Sequence, residues 1–239
     1  MSTYSQRLMS LAHYQRFEEK QLVNIFAERF SSASVLDVGC GLGKYLSILG
    51  RMGCKVTGVD SNPRQVSQLV EQGYNVFTPD KFPRTELYDV ILMSHLIEHM
   101  DLASLTACIN SYLELLNPDG KLIIISPVLG ERFYYDPTHV RPYYPQSLRM
   151  LMGNLLAPAQ QRSKWVMYLE DIWFFNDCWR LRGSRHFYPQ KRQNVIAQLL
   201  VASINLFFVG LYLGTGGRLG TKASWMGIYG KRHEFASDV

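Results

Sequence analysis

Ten residues, Val35-Leu36-Asp37-Val38-Gly39-Cys40-Gly41-Leu42-Gly43-Lys44, constrain this chain more than any others. An apolar strand meets an acid and then a glycine at every second position. Glycine takes positive φ at little cost, so the chain can turn sharply here and start a helix whose free N–H groups face a ligand. A strand–turn–helix unit of this kind belongs to α/β proteins. A dinucleotide fingerprint spaces its glycines as G-x-G-x-x-G. Lys44 stands where the third glycine would fall and the glycine comes one residue early, at Gly43, which weakens a dinucleotide reading. Asp37, two residues before the first glycine, also points elsewhere.

The pattern around this unit alternates. Strands are expected at Val35–Val38, Lys55–Asp60, Val76–Thr78, Val90–Met93 and Leu122–Ser126, and helices at Tyr45–Gly50, Arg64–Gln72 and Leu102–Leu116, the last stopped by Pro118. Apolar strands alternating with helices predict a parallel sheet covered on both faces, with ligands outside the carboxyl ends of its strands. Gly39, Asp60, Asp80 and Ser94 then share one rim. Asp60 lies about twenty residues past the glycine turn, where an acid accepts from ribose hydroxyls. Ser61-Asn62-Pro63 follows it and equally suits a helix start, so Asp60 can also be a cap. A length of 239 residues with 47% hydrophobic content fits one domain with a full core plus an insertion. A charge of +5 is too modest to indicate nucleic acid. Cys40, Cys54, Cys108 and Cys178 form no C-x-x-C pair and read as reduced thiols rather than a disulfide frame or zinc site.

Four segments in order carry a family resemblance. Asp37-Val38-Gly39-Cys40-Gly41-Leu42-Gly43 resembles the cofactor loop of class I S-adenosylmethionine-dependent methyltransferases. Val56-Thr57-Gly58-Val59-Asp60 resembles their second strand, Tyr88 to His99 the fourth with its Glu-His, and Leu116 to Ser126 the turn into the fifth. Together these span roughly residues 30 to 150. The resemblance implies an α/β, Rossmann-like, doubly wound fold: a mostly parallel seven-stranded sheet, helices on both faces, and an antiparallel last strand preceded by an apolar insertion. It implies S-adenosylmethionine as cofactor, with Asp37, Gly39, Cys40, Gly41, Gly43, Asp60, Ser61, Asp80 and Ser94 around it. Asp37 suits the cofactor's positive charges; otherwise it is a solvated strand end or a helix cap.

Methyl transfer mainly requires nucleophile and methyl held in line with water excluded, plus a base when the nucleophile carries a proton. The candidate bases are His139, His99 and His95. Asp136-Pro137-Thr138-His139-Val140-Arg141-Pro142-Tyr143 resembles a Thr-His-Val-Arg stretch of one methyltransferase subgroup, set over the acceptor pocket. Arg141 and Tyr143 are therefore candidate acceptor-binding residues, although Arg141 could instead pair with Glu131 or Asp136. His99 could be satisfied by backbone, and His139 could merely order its loop. His95-x-x-Glu98-His99 also matches an H-x-x-E-H peptidase pattern, which would need a helix and a further ligand. Some quinone-pathway O-methyltransferases hold a divalent ion with acids and a histidine here; His95 replaces one acid, and no metal is expected. The expected activity is methylation, on oxygen, of a small or lipid-linked acceptor. The alternatives are a non-catalytic S-adenosylmethionine-binding accessory protein and a nucleotide-sugar or NAD-dependent oxidoreductase.

The ends of the chain depart from this plan. Residues 1–30 read as a helical cover on a single domain of residues 1–239. Pro145 to Leu156 looks helical, and Trp165–Leu169 and Ser224–Tyr229 look like the last two strands. The basic, aromatic and then apolar insertion is placed at residues 171–222. Val195 to Gly214 is uncharged and long enough to span a bilayer, yet the chain must return to the sheet. It is expected either at a membrane surface, through residues 160–214, or packed on the domain or in a homodimer; nucleic acid is disfavoured. The protein is expected in the cytoplasm, or peripheral on the inner face of a membrane.

Overall fold

In a computed structural model, residues 12–153, 163–182 and 194–231 are described. They form helices α1 (Tyr14–Arg29), α2 (Lys44–Arg51), α3 (Pro63–Glu71), α4 (Leu102–Leu113), α5 (Pro145–Met152) and α6 (Val195–Gly214), and strands β1 (Ser34–Val38), β2 (Lys55–Val59), β3 (Val76–Phe77), β4 (Tyr88–Ser94), β5 (Leu116–Pro127), β6 (Met167–Asp177) and β7 (Thr221–Lys231). The first eleven residues of the expected cover, positions 154–156 of the expected helix, and part of the basic-aromatic stretch lie outside the described residues. The chain divides into two compact units. One comprises Leu22–Trp173 with Trp225–Val239; the other comprises Met1–Gln21 with Phe174–Ser224.

The sheet has seven strands in the order β3-β2-β1-β4-β5-β7-β6, mixed, with the last strand antiparallel. Its parallel half is a consequence of apolar runs that can only be buried on both faces. Val35 and Leu36 of β1 and Val90, Ile91, Leu92 and Met93 of β4 are all buried. β1 lies between β2 and β4, with Val38 opposite Val59 on one side and Met93 on the other. Strand order reverses between β1 and β4, so the carboxyl ends of β2, β1 and β4 meet at the switch point. Helix starts follow local chemistry. Asn62 caps α3, accepting from Arg64 N at 3.1 Å with Pro63 in the first turn, and Asp101 caps α4, accepting from Ser104 N at 2.7 Å.

Three expected boundaries shift. α4 ends at Leu113 and Leu116 already belongs to β5; the register against β4 slips between Tyr88 and Val90, so Asn117 to Gly120 bulge out before pairing resumes at Lys121. α5 stops at Met152 before Gly153. β6 runs on to Asp177, beyond the expected Leu169 and into the residues assigned to the insertion. Its acids Glu170 and Asp171 obscured it as a strand. Arg29 Nη2 lies 3.1 Å from Glu170, Arg29 Nη1 2.5 Å from Asp171, and Lys121 Nζ 2.6 Å from Glu170.

In the smaller unit, α6 presents a short stripe to protein. Asn205, Val209 and Tyr212, spaced four and three apart, are its buried residues, and Val209 and Tyr212 cluster with Ala12 and Cys178.

Candidate active site

The site is built at the switch point, within the larger unit. Gly39, Gly41 and Gly43 all have positive φ, at 76°, 53° and 77°. Gly39 and Cys40 donate to the Val59 carbonyl at 2.7 and 3.1 Å, fastening the turn to the end of β2. A Cβ on Gly39 would stand 2.8 Å from Leu96 Cδ1, so the turn packs directly on the segment after β4. A Cβ on Gly41 would meet nothing within 4 Å: the outer side of the turn is open.

Two acids sit beneath and beside this opening. Asp37 is buried and neither carboxylate oxygen has a hydrogen-bond partner in the structure. Burial, and then the neighbouring charge of Asp60, push its carboxyl up to about 7. Asp60 is tied into the backbone: Gly41 N donates to its Oδ2 and Asn62 N to its Oδ1, each at 2.8 Å. It therefore shapes the turn and starts α3 together. Cys40 belongs to a cluster with Leu46, Val66, Leu69 and Val76, and burial pushes its thiol up to about 12. Only its main chain is left for the opening. Ser94 ends β4, half-buried, whereas Ser61 and Asp80 are exposed.

The second half of the site joins the turn after β4 to the loop after β5. Glu98 is fully buried, and its carbonyl accepts from Val140 N at 2.8 Å and Arg141 N at 3.2 Å. Its carboxylate accepts from Ser126 Oγ at 3.3 Å and lies 3.3 Å from His95 Nδ1. His95 holds φ of 52°, unusual for a side-chain-bearing residue, and its N–H donates to the Ile125 carbonyl at 2.8 Å. The rings of His99 and His139 lie 4.8 Å apart, edge to face.

Hydrogen bonding fixes both tautomers. His139 Nδ1 is 2.8 Å from the Phe133 carbonyl, which can only accept. Nδ1 therefore carries the proton, and in the neutral ring Nε2 keeps a lone pair. Thr138 Oγ1 donates to Asp136 Oδ1 at 2.6 Å, so it accepts from His99 Nδ1 at 3.0 Å. His99 Nε2 is then likewise basic. Asp136 Oδ2 lies 3.9 Å from His139 Nε2, near enough to stabilise an imidazolium, and its carboxyl is held low chiefly by the Thr138 bonds. Glu98, His99 and His139 each place a ligand atom within 4.8 Å of the others, the donor types of a divalent-cation site.

Two expectations for the acceptor side divide. Arg141 is exposed and lies over the Tyr143 ring at 5.6 Å; among the described residues it forms no ion pair with Glu131 or Asp136. Tyr143 is corrected. It is buried, its hydroxyl donates to the Met100 carbonyl at 3.0 Å, and its own carbonyl accepts from Trp225 Nε1 at 2.8 Å. It ties β7 to the acceptor loop instead of facing a ligand. Glu98, Asp136 and Thr138 had no assigned role; Asp-Pro-Thr, an Asx-turn sequence, was the one local sign of the last two.

A family model described as a methyltransferase domain matches residues 11–193. The chain belongs to the methyltransferase-domain family. It is 33% identical over 105 residues to a ubiquinone biosynthesis O-methyltransferase of Cereibacter sphaeroides, covering 39% of this chain and 41% of that protein. The mitochondrial ubiquinone biosynthesis O-methyltransferase of Bos taurus is 31% identical over 110 residues, covering 39% of this chain and 28% of its own. The matches thus span about two fifths or less of these relatives. A S-adenosylmethionine-dependent methyltransferase from Archaeoglobus fulgidus superposes with a TM-score of 0.57 at 23% identity, covering 91% of this chain and 94% of the other. Magnesium protoporphyrin IX methyltransferase from Synechocystis, solved with S-adenosylhomocysteine bound, gives 0.55 at 13% identity, covering 97% and 89%. These confirm the Rossmann-like methyltransferase fold. The residues present fit the family's cofactor, S-adenosylmethionine. Asp37 offers an unsatisfied buried carboxylate to a cationic ligand, and the open side of Gly41 offers room for it.

Proposed function

We propose that the protein transfers a methyl group to an oxygen of a small or lipid-linked acceptor. The observation that carries this reading is the histidine pair formed by the segments after β4 and β5, with Nε2 of His139 left basic by the Phe133 carbonyl. Bound S-adenosylmethionine would supply an electrophilic methyl carbon; Asp37, Gly39, Gly41, Gly43 and Asp60 would hold it. Asp37 has no hydrogen-bond partner to give up when it meets positive charge. Leu96, packed on Gly39, links the cofactor turn to the acceptor side. His139 Nε2 takes the proton of an acceptor hydroxyl, and Asp136 Oδ2 steadies the resulting cation. Thr138 holds His99 in the matching orientation, and the buried Glu98 pins the loop through its main chain. Arg141, exposed and without an acid partner among the described residues, suits an anionic group on the acceptor.

The test uses full-length protein with methyl-labelled S-adenosylmethionine and two acceptor panels, catechols and primary amines, each with and without EDTA. Label on the catechols, indifferent to EDTA, supports the reading. Label on the amines alone overturns the oxygen assignment. Loss of catechol activity on chelation would make Glu98, His99 and His139 a cation site in place of a base.

A further inference from the structure

Helix α6 carries an unusual surface. Its 20 residues hold no charge, and the six most exposed apolar side chains, Val195, Ile196, Leu199, Leu200, Leu206 and Phe207, are each more than half exposed. At about 100° per residue they fall within an arc of about 140°. The buried stripe, Asn205, Val209 and Tyr212, lies on the opposite side. Soluble proteins rarely leave so continuous an apolar face in water.

We propose that this face of α6 docks on the surface of an anionic lipid bilayer, with the helix lying in the membrane plane. Length alone would also permit a span, because 20 residues reach about 30 Å. The flanking chain excludes it. Leu181 N donates to Asn205 Oδ1 at 2.7 Å and Asn205 Nδ2 donates to the Leu181 carbonyl at 3.0 Å, fixing main chain against the middle of the helix. Tyr212 OH donates to the Asn176 carbonyl at 2.6 Å, one to two turns further along. Residues 176–181 thus run beside the helix, and a spanning helix would drag their backbone into hydrocarbon. In the plane, the bonded stripe stays on the protein side and only the apolar arc enters lipid.

Charge selects the lipid. Arg218 and Lys222, both exposed, follow α6, and no charge interrupts it. Cations at the end of an apolar helix draw it to anionic lipid. A second copy of the chain fits less well: a helix–helix seam covers a narrow stripe, whereas this arc is about 140° wide.

Flotation of the full chain with vesicles decides the matter. Wild-type protein should float with phosphatidylcholine vesicles containing phosphatidylglycerol, float less with phosphatidylcholine alone, and be released by alkaline carbonate. Leu200→Glu with Phe207→Glu should weaken partitioning at least about tenfold. Arg218→Glu with Lys222→Glu, which leaves the apolar arc intact, should weaken it on the anionic vesicles alone. No flotation at low salt overturns the proposal. Carbonate-resistant protein overturns the in-plane geometry. A dimer by sedimentation that the Leu200→Glu and Phe207→Glu changes dissociate, without vesicle binding, assigns the face to a second copy. Methyl transfer to a soluble acceptor is measured in parallel, so failure of docking is distinguishable from failure of the activity.

Discussion

The two halves of the site are made by different means. The half proposed for the cofactor is made of backbone: three glycines, amides fastened to the Val59 carbonyl, and an acid that binds main chain on both oxygens. The acceptor side is made of side chains brought together from two turns, with His99 and Thr138 meeting across 39 residues of sequence. The backbone half has a shape before any ligand arrives, whereas the side-chain half has an orientation, set by which atoms carry protons. Substitutions should therefore separate affinity from rate.

The largest expected effect is on rate. His139→Ala should lower kcat by about 10²- to 10⁴-fold, the usual contribution of a positioned base, while calorimetry finds the affinity for S-adenosylhomocysteine within about twofold of wild type. A loss of affinity with kcat preserved would break the division between the halves.

Asp37→Asn should do the reverse and weaken S-adenosylhomocysteine by about ten- to a hundredfold, the value of one charge-assisted contact. It should also stabilise the ligand-free protein. The carboxyl titrates near 7 when folded, against 3.8 ordinarily. A raised acid is neutral in both states below about pH 4 and costs nothing there. Between pH 4 and 7 the unfolded chain ionises first, so stability falls as pH rises, and the full cost stands above pH 7. The Asn variant should gain nothing in thermal unfolding near pH 4 and up to about 4 kcal/mol near pH 8. Wild-type affinity should fall as pH drops below about 7, because binding must then expel the Asp37 proton.

What could be read from the sequence divides along the same line. Gly39, Gly41 and Gly43 were legible because positive φ is a demand that residue identity answers locally. Asp37 stood out because an acid in an apolar strand needs a reason, and it is buried without a hydrogen-bond partner. The parallel strands followed from unbroken apolar runs. Tyr143 was misassigned because a tyrosine near a site looks the same whether it faces ligand or core; its partners, the Met100 carbonyl and the Trp225 indole, lie 43 and 82 residues away. The far end of β6 was missed for a related reason, as Glu170 and Asp171 look unlike a strand until Arg29 and Lys121 are placed opposite. The tautomers of His99 and His139 depend on a carbonyl and a hydroxyl that no spacing reveals.

Glycine substitutions test where the halves touch. Gly41→Ala adds a methyl that meets nothing within 4 Å, so its folding cost is the left-handed backbone alone, about 1–2 kcal/mol. It should weaken S-adenosylhomocysteine about tenfold through the lost open volume and leave kcat unchanged at saturation. Gly39→Ala presses on Leu96 at 2.8 Å and should lower affinity and kcat together. Equal behaviour of the two variants would mean that the turn does not transmit to the acceptor side.

The smallest effect should come from Thr138→Val, which keeps shape but deletes the hydroxyl between His99 Nδ1 and Asp136 Oδ1. The Thr138 carbonyl still lies 3.3 Å from His99 Nδ1 and can hold the same proton, so the tautomer survives in weakened form. One lost hydrogen bond of about 1 kcal/mol corresponds to about a fivefold fall in kcat. A purely structural threonine would lower thermal stability without touching the pH–rate profile. A threonine that orients the histidines should move the acidic limb of that profile, because Asp136 is then freer to pair with His139 and raise its basicity. An unchanged limb would mean that Asp136 does not set the basicity of His139.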